Sequence, residues 1–68
     1  MAINTLVIIT GYGSISPKPV RKAYLNSSQE MAMHRFVQQN PGVRDVSVVI
    51  IDFEDELTIR PNGDIVAY

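Results

Sequence analysis

No cysteine occurs among the 68 residues, which excludes disulfides and thiolate metal sites and leaves the compartment unmarked by redox chemistry. A basic surplus is missing too. Six Lys and Arg against seven Asp and Glu give a net charge of −1, whereas a generic nucleic-acid binder carries a positive excess. No apolar run approaches the roughly 20 residues of a membrane span. The opening stretch 1–10 has no basic leader, and Asn4 and Thr5 interrupt its apolar run, so it does not read as a signal peptide. The expectation is a cytoplasmic chain without a membrane segment.

What is present is compact and β-rich. The length fits a single domain over 1–68, near the lower limit for a core without staples. The 46% apolar fraction makes such a core feasible with little margin, so association with a partner or another copy would help.

Residues 3–10 are aliphatic and β-branched and end at a glycine cluster, which reads as a strand. Residues 11–19 hold two glycines and two prolines and can sustain neither helix nor ladder. Residues 20–25 form a second strand that pairs back on the first. Ser27 and Glu30 stand at capping-box spacing and predict a helix start. Ala32, Met33, Phe36 and Val37 supply its apolar face, and Asn40-Pro41-Gly42 stops it. A helix this short must dock to persist.

Residues 44–53 form a third strand, aliphatic on both sides, followed by an acidic turn at 54–56. Segments 57–60 and 64–68 flank Arg60-Pro61-Asn62-Gly63, which suits a type I turn with Gly63 in a bulge. That turn sets Arg60 opposite Asp64, Ile59 opposite Ile65 and Leu57 opposite Ala67. The predicted fold is α+β with the order ββαβββ: one helix on one face of a mostly antiparallel five-stranded sheet, spatial order 2-1-3-4-5. The two doubly apolar strands sit in its middle, and the helix crosses right-handedly from the second strand to the third.

Sites are scarce. Gly11-Tyr12-Gly13-Ser14 follows a strand, but Ser16-Pro17-Lys18-Pro19 offers no helix N-terminus for a phosphate, so a flexible connection is the simpler reading. Lys18, Arg21 and Lys22, with Arg44 and the rings of Tyr12 and Tyr24, are the possible nucleic-acid contacts. Asp52, Glu54, Asp55 and Glu56 lack calcium-loop spacing and read as a charged guard beside an apolar strand. His34 has no nucleophile or carboxylate placed to work with it. Ser14, Ser16, Ser27 and Ser28 lack an elbow motif, and Met31 and Met33 read as packing. No enzyme, cofactor or metal site is expected.

The third strand carries the sharpest functional expectation. A three-residue acidic turn would place Val49, Ile51 and Phe53 under the helix and Val46, Val48 and Ile50 on the helix-free face. With aliphatic neighbours from the first strand, those three would expose a patch of roughly several hundred Å², about the upper end for a monomer. Unless loop 11–19 covers it, Val46, Val48 and Ile50 form a partner interface. The expected function is a non-catalytic protein-binding module, self-associating through that face as a homo-oligomer. Stoichiometric inhibitors of phage type offer a fold-level analogy. The alternative is a nucleic-acid-binding protein using Lys18, Arg21 and Lys22.

Overall fold

The computed structural model describes residues 3–13 and 18–67. Its elements are β1 (Asn4–Tyr12), β2 (Pro19–Leu25), α1 (Gln29–Gln39), β3 (Arg44–Phe53), β4 (Thr58–Ile59) and β5 (Ile65–Val66). The fold is α+β, with one helix and antiparallel strands. The strands do not form one five-stranded sheet, however. β2, β1 and β3 make a three-stranded sheet in that order, and β4 with β5 makes a separate two-stranded one.

β1 holds the centre because it is apolar on both faces. Val7 and Ile9 are buried on the side of the helix, with Tyr24, Ala32 and Phe36. Ile8 points the other way and is still only 5% exposed. Gly11 is required by close approach: a Cβ there would lie 2.5 Å from Val43 Cγ2 and 3.1 Å from Phe36 Cε2. The absent side chain is the space that the Val43 methyl group fills, with the edge of the Phe36 ring beside it. Arg35 on the helix lies over the Tyr24 ring, 5.2 Å from its centroid, and covers the β2 side of this core.

The helix begins one residue later than the capping-box spacing predicts. Ser28 is the N-cap, in extended conformation, and its hydroxyl accepts from Met31 N–H. Asn26 sets this phase. It adopts φ 53°, donates its N–H to Thr5 O at 2.7 Å and accepts from Thr5 N–H at 2.9 Å. Ser27 is thereby spent on the connection, and Met31, not Glu30, occupies the third helical position. Ala32 and Phe36, four apart, then share the face that meets the sheet. At the other end Asn40 donates both its backbone N–H and its side-chain amide to Phe36 O, which closes the helix before Pro41.

β3 pairs with β1 so that Ile9 meets Val48 and Val7 meets Ile50, with a bulge between Thr10 and Tyr12 where Asp45 takes φ 52°. Directly opposed residues share a face. Val46 and Val48 therefore pack against the helix-side core, as their contacts with it confirm. This reverses the expected phase: Val46, Val48 and Ile50 look toward the helix side, and Val49, Ile51 and Phe53 look away. Both parities of β3 are aliphatic, so its pattern alone could not choose.

The Arg60–Asp64 turn forms as its residues require. Gly63 N–H donates to Arg60 O and Arg60 N–H to Asp64 O, each at 2.8 Å, with Gly63 at φ 93°. Thr58 opposes Val66 and Ile59 opposes Ile65. The hairpin does not extend the sheet from β3, as the order 2-1-3-4-5 would need. It turns across the face opposite the helix, where Ile65 and Val66 share a crevice with Ile8, Val49 and Ile51. Arg21 reaches over from β2 and donates to Gly63 O at 3.2 Å. Burial of Ile8 gives the physical reason: the sheet's second face is apolar, and no other described segment lies over it.

Candidate protein interface

Once the hairpin has left the sheet plane, the outer edge of β3 has no strand beside it among the described residues. Which of its backbone groups face outward follows from β1. Both the N–H and the C=O of Thr5 engage Asn26, at the end of β2. Hydrogen-bonding direction alternates along a strand, so Leu6 and Ile8 turn theirs to β3. Their partners Ile51 and Val49 bond inward. Val46, Val48, Ile50 and Asp52 consequently present N–H and C=O groups outward, away from β1. This is a ten-residue strand with an open row of donors and acceptors.

The side chains along that edge are apolar and partly uncovered. Val49 is 53% exposed and Ile50 51% exposed, on opposite faces. Val46 and Val48 are half-buried under the helix side. Asp45 and Asp52 stand at the two ends of the aliphatic run, and Asp52 accepts from the Thr5 hydroxyl at 2.9 Å. Of the expected interface residues, Val46 and Val48 belong to the core margin as side chains, while all three contribute outward backbone groups. The helix-free face assigned to them is instead formed by other residues and partly covered by the hairpin.

The basic cluster does not assemble. Arg21 and Lys22 are neighbours in β2 and so point to opposite faces. Arg21 is engaged with Gly63 O, and Lys22 shares the helix side with Tyr24 through its pairing with Ile9. Lys18 lies in the bend before β2 and is exposed, and Arg44 is exposed at the start of β3 beside Tyr12. Gly11 and Tyr12 belong to β1, not to a phosphate loop, while Ser14 and Ser16 lie outside the described residues. Residues 14–17 of loop 11–19, the loop expected to cover a sheet face, likewise lie outside the described residues, while Gly11, Tyr12 and Pro19 pair in the β1–β2 ladder. Among the described residues no three His, Asp or Glu side chains gather to hold a metal ion. His34 and Met33 line an open groove with Ser28, Gln29 and Glu30 along the first turns of α1.

No helix among the described residues is long and apolar enough to cross a membrane. Comparison with protein-family models, with curated proteins and with solved structures gives no match to this chain.

The signal for an open edge was present in the sequence but ambiguous. A charge at each end of an aliphatic strand is what edge strands carry, yet the same residues suit a central strand flanked by turns.

Proposed function

We propose that this chain is a small non-catalytic protein-binding module that accepts an extended segment of a protein partner along the outer edge of β3. The supporting observation is the row of outward backbone groups at Val46, Val48 and Ile50 that no strand pairs among the described residues, on a strand already held in register by β1. Main-chain bonds to such an edge supply affinity, and side-chain pockets beside it supply selection. Binding of one segment per edge is stoichiometric, and a stoichiometric inhibitor of phage type is one form such a module takes.

Ile50→Pro tests it. The substitution removes an outward N–H and leaves the bonds to β1 in place, a position where edge strands tolerate proline. Wild type and variant are used as baits in lysate of the native host, at low salt and at about 1 M salt, where charges are screened beyond roughly 3 Å. The expected result is a one-to-one protein partner that survives high salt and is lost with Ile50→Pro, while circular dichroism is unchanged. A partner retained by the variant overturns the edge reading. Recovery of DNA or RNA that high salt releases favours nucleic-acid binding through Lys18, Arg21 and Lys22 instead.

A further inference from the structure

We infer that the β3 edge pairs with β3 of a second copy of this chain, antiparallel, about a two-fold axis at Val48; this rests on the protein-binding reading and names the partner. A two-fold axis perpendicular to the sheet keeps the helix sides of both copies together, so residues of equal parity must meet. With the axis at Val48, Val46 opposes Ile50 of the second copy, Ser47 opposes Val49 and Val48 opposes itself. The run 46–50 thus pairs wholly within itself, and its outward groups at Val46, Val48 and Ile50 meet in hydrogen-bonded pairs. An axis at Val49 would set Val46 against Asp52, and one at Ser47 would set Asp45 against Val49.

Charge favours the same arrangement. β3 opens with Arg44 and Asp45, whose charges cancel, and ends with Asp52 and Phe53, followed by Glu54, Asp55 and Glu56. Antiparallel pairing keeps the two acidic ends apart, and it sets Arg44 of each copy level with Asp52 of the other and Asp45 level with Ile51. A parallel partner would set those ends side by side. The bulge at Asp45 and the charges of Asp45 and Asp52 bound the open run, and within 46–50 neither a charge nor a proline interrupts it.

The chain lacks cysteine, so single cysteines report the register directly. Ser47 and Val49 are both exposed, and across the axis they form a non-hydrogen-bonded pair with Cα atoms about 4.5 Å apart, within disulfide reach. Two copies of Ser47, or two of Val49, would instead be diagonal neighbours about 7–8 Å apart, beyond it. Ser47→Cys and Val49→Cys proteins carrying different mass tags are mixed and oxidised, and wild type is sedimented over a range of concentrations. The expected results are a wild-type dimer, a mixed disulfide several-fold above either symmetric one, and a monomeric, folded Ile50→Pro. Arg44→Glu should raise the dimer dissociation constant about tenfold at low salt and less at high salt. A wild type that stays monomeric to about 1 mM, far weaker than specific pairs bind, overturns the second copy. So does a statistical mixture of disulfides, or a dimer that persists in Ile50→Pro. A monomeric wild type whose separate protein partner is still lost with Ile50→Pro removes only the self-pairing and leaves the binding module standing.

Discussion

Replacing Gly11 by alanine adds one methyl group at the most crowded point of the core. Its Cβ would meet Val43 Cγ2 at 2.5 Å, Phe36 Cε2 at 3.1 Å and Val46 Cγ2 at 3.3 Å. Carbon atoms settle at about 3.5–4.0 Å, so Val43 must withdraw by roughly 1 Å. Val43 is half-buried beside the Pro41-Gly42 turn and can move, whereas Phe36 is fully enclosed and cannot. Overpacking of this kind costs about 1–3 kcal/mol. The lost freedom of glycine in the unfolded chain returns about 0.4–1 kcal/mol. The net expectation is a destabilisation of about 1–2 kcal/mol, read as a lower urea midpoint by circular dichroism. At about 4–8 °C per kcal/mol for a domain of this size, the melting temperature should fall by roughly 5–15 °C. Gly13→Ala is the control: nothing lies within 4 Å of its Cβ, and the change should stay within about 0.5 kcal/mol. Truncating the nearest neighbour should relieve the clash, so Gly11→Ala with Val43→Ala should show a favourable coupling above about 0.5 kcal/mol. A Gly11→Ala protein at least as stable as wild type would refute the packing of Val43 and Phe36 against this glycine.

Three further expectations separate features of the fold. Val48→Glu should lower stability by at least about 2 kcal/mol more than Val49→Glu, because only the first drives a carboxylate into the helix-side core; a reversed order in urea titrations would invert the faces again. Ser28→Ala should cost about 0.5–2 kcal/mol by removing the cap on Met31 N–H. Ser27→Ala should stay within about 0.5 kcal/mol, and equal midpoint shifts for the two serines would argue against the assigned helix start. The Tyr24 hydroxyl is buried with no hydrogen-bond partner among the described residues. Tyr24→Phe removes that group and keeps the ring under Arg35, so the melting temperature should rise; a fall would mean that the hydroxyl is satisfied.

Local pattern and turn chemistry were enough for the order of the elements. β4 and β5, however, pair over two residues each, without the expected Leu57–Ala67 pair, and Gly11, Tyr12 and Pro19 join the ladder that stretch 11–19 was expected not to sustain. The boundaries of β3, the helix stop at Asn40-Pro41-Gly42 and the Gly63 hairpin register were all legible, because each depends on the conformational limits of a few adjacent residues. The helix start was off by one residue because Ser27 and Ser28 are equally able to cap. Only Asn26, folded back onto Thr5 from across the sheet, decides between them. The phase of β3 was undecidable along the chain, since Val46, Val48 and Ile50 are as aliphatic as Val49 and Ile51. Its register against Val7 and Ile9, with a bulge at Asp45, settles which set the helix covers. The fate of the last two strands was likewise a tertiary matter. Their turn dictates only that they pair with each other, and whether the hairpin extends the sheet or folds over it depends on apolar surface elsewhere. Ile8 supplies that surface, and covering it from Ile65 leaves the β3 edge without a neighbouring strand among the described residues. The sequence thus determined the pieces and their turns through local sterics. Long-range burial decided the faces, the layers and the open edge on which the proposed function rests.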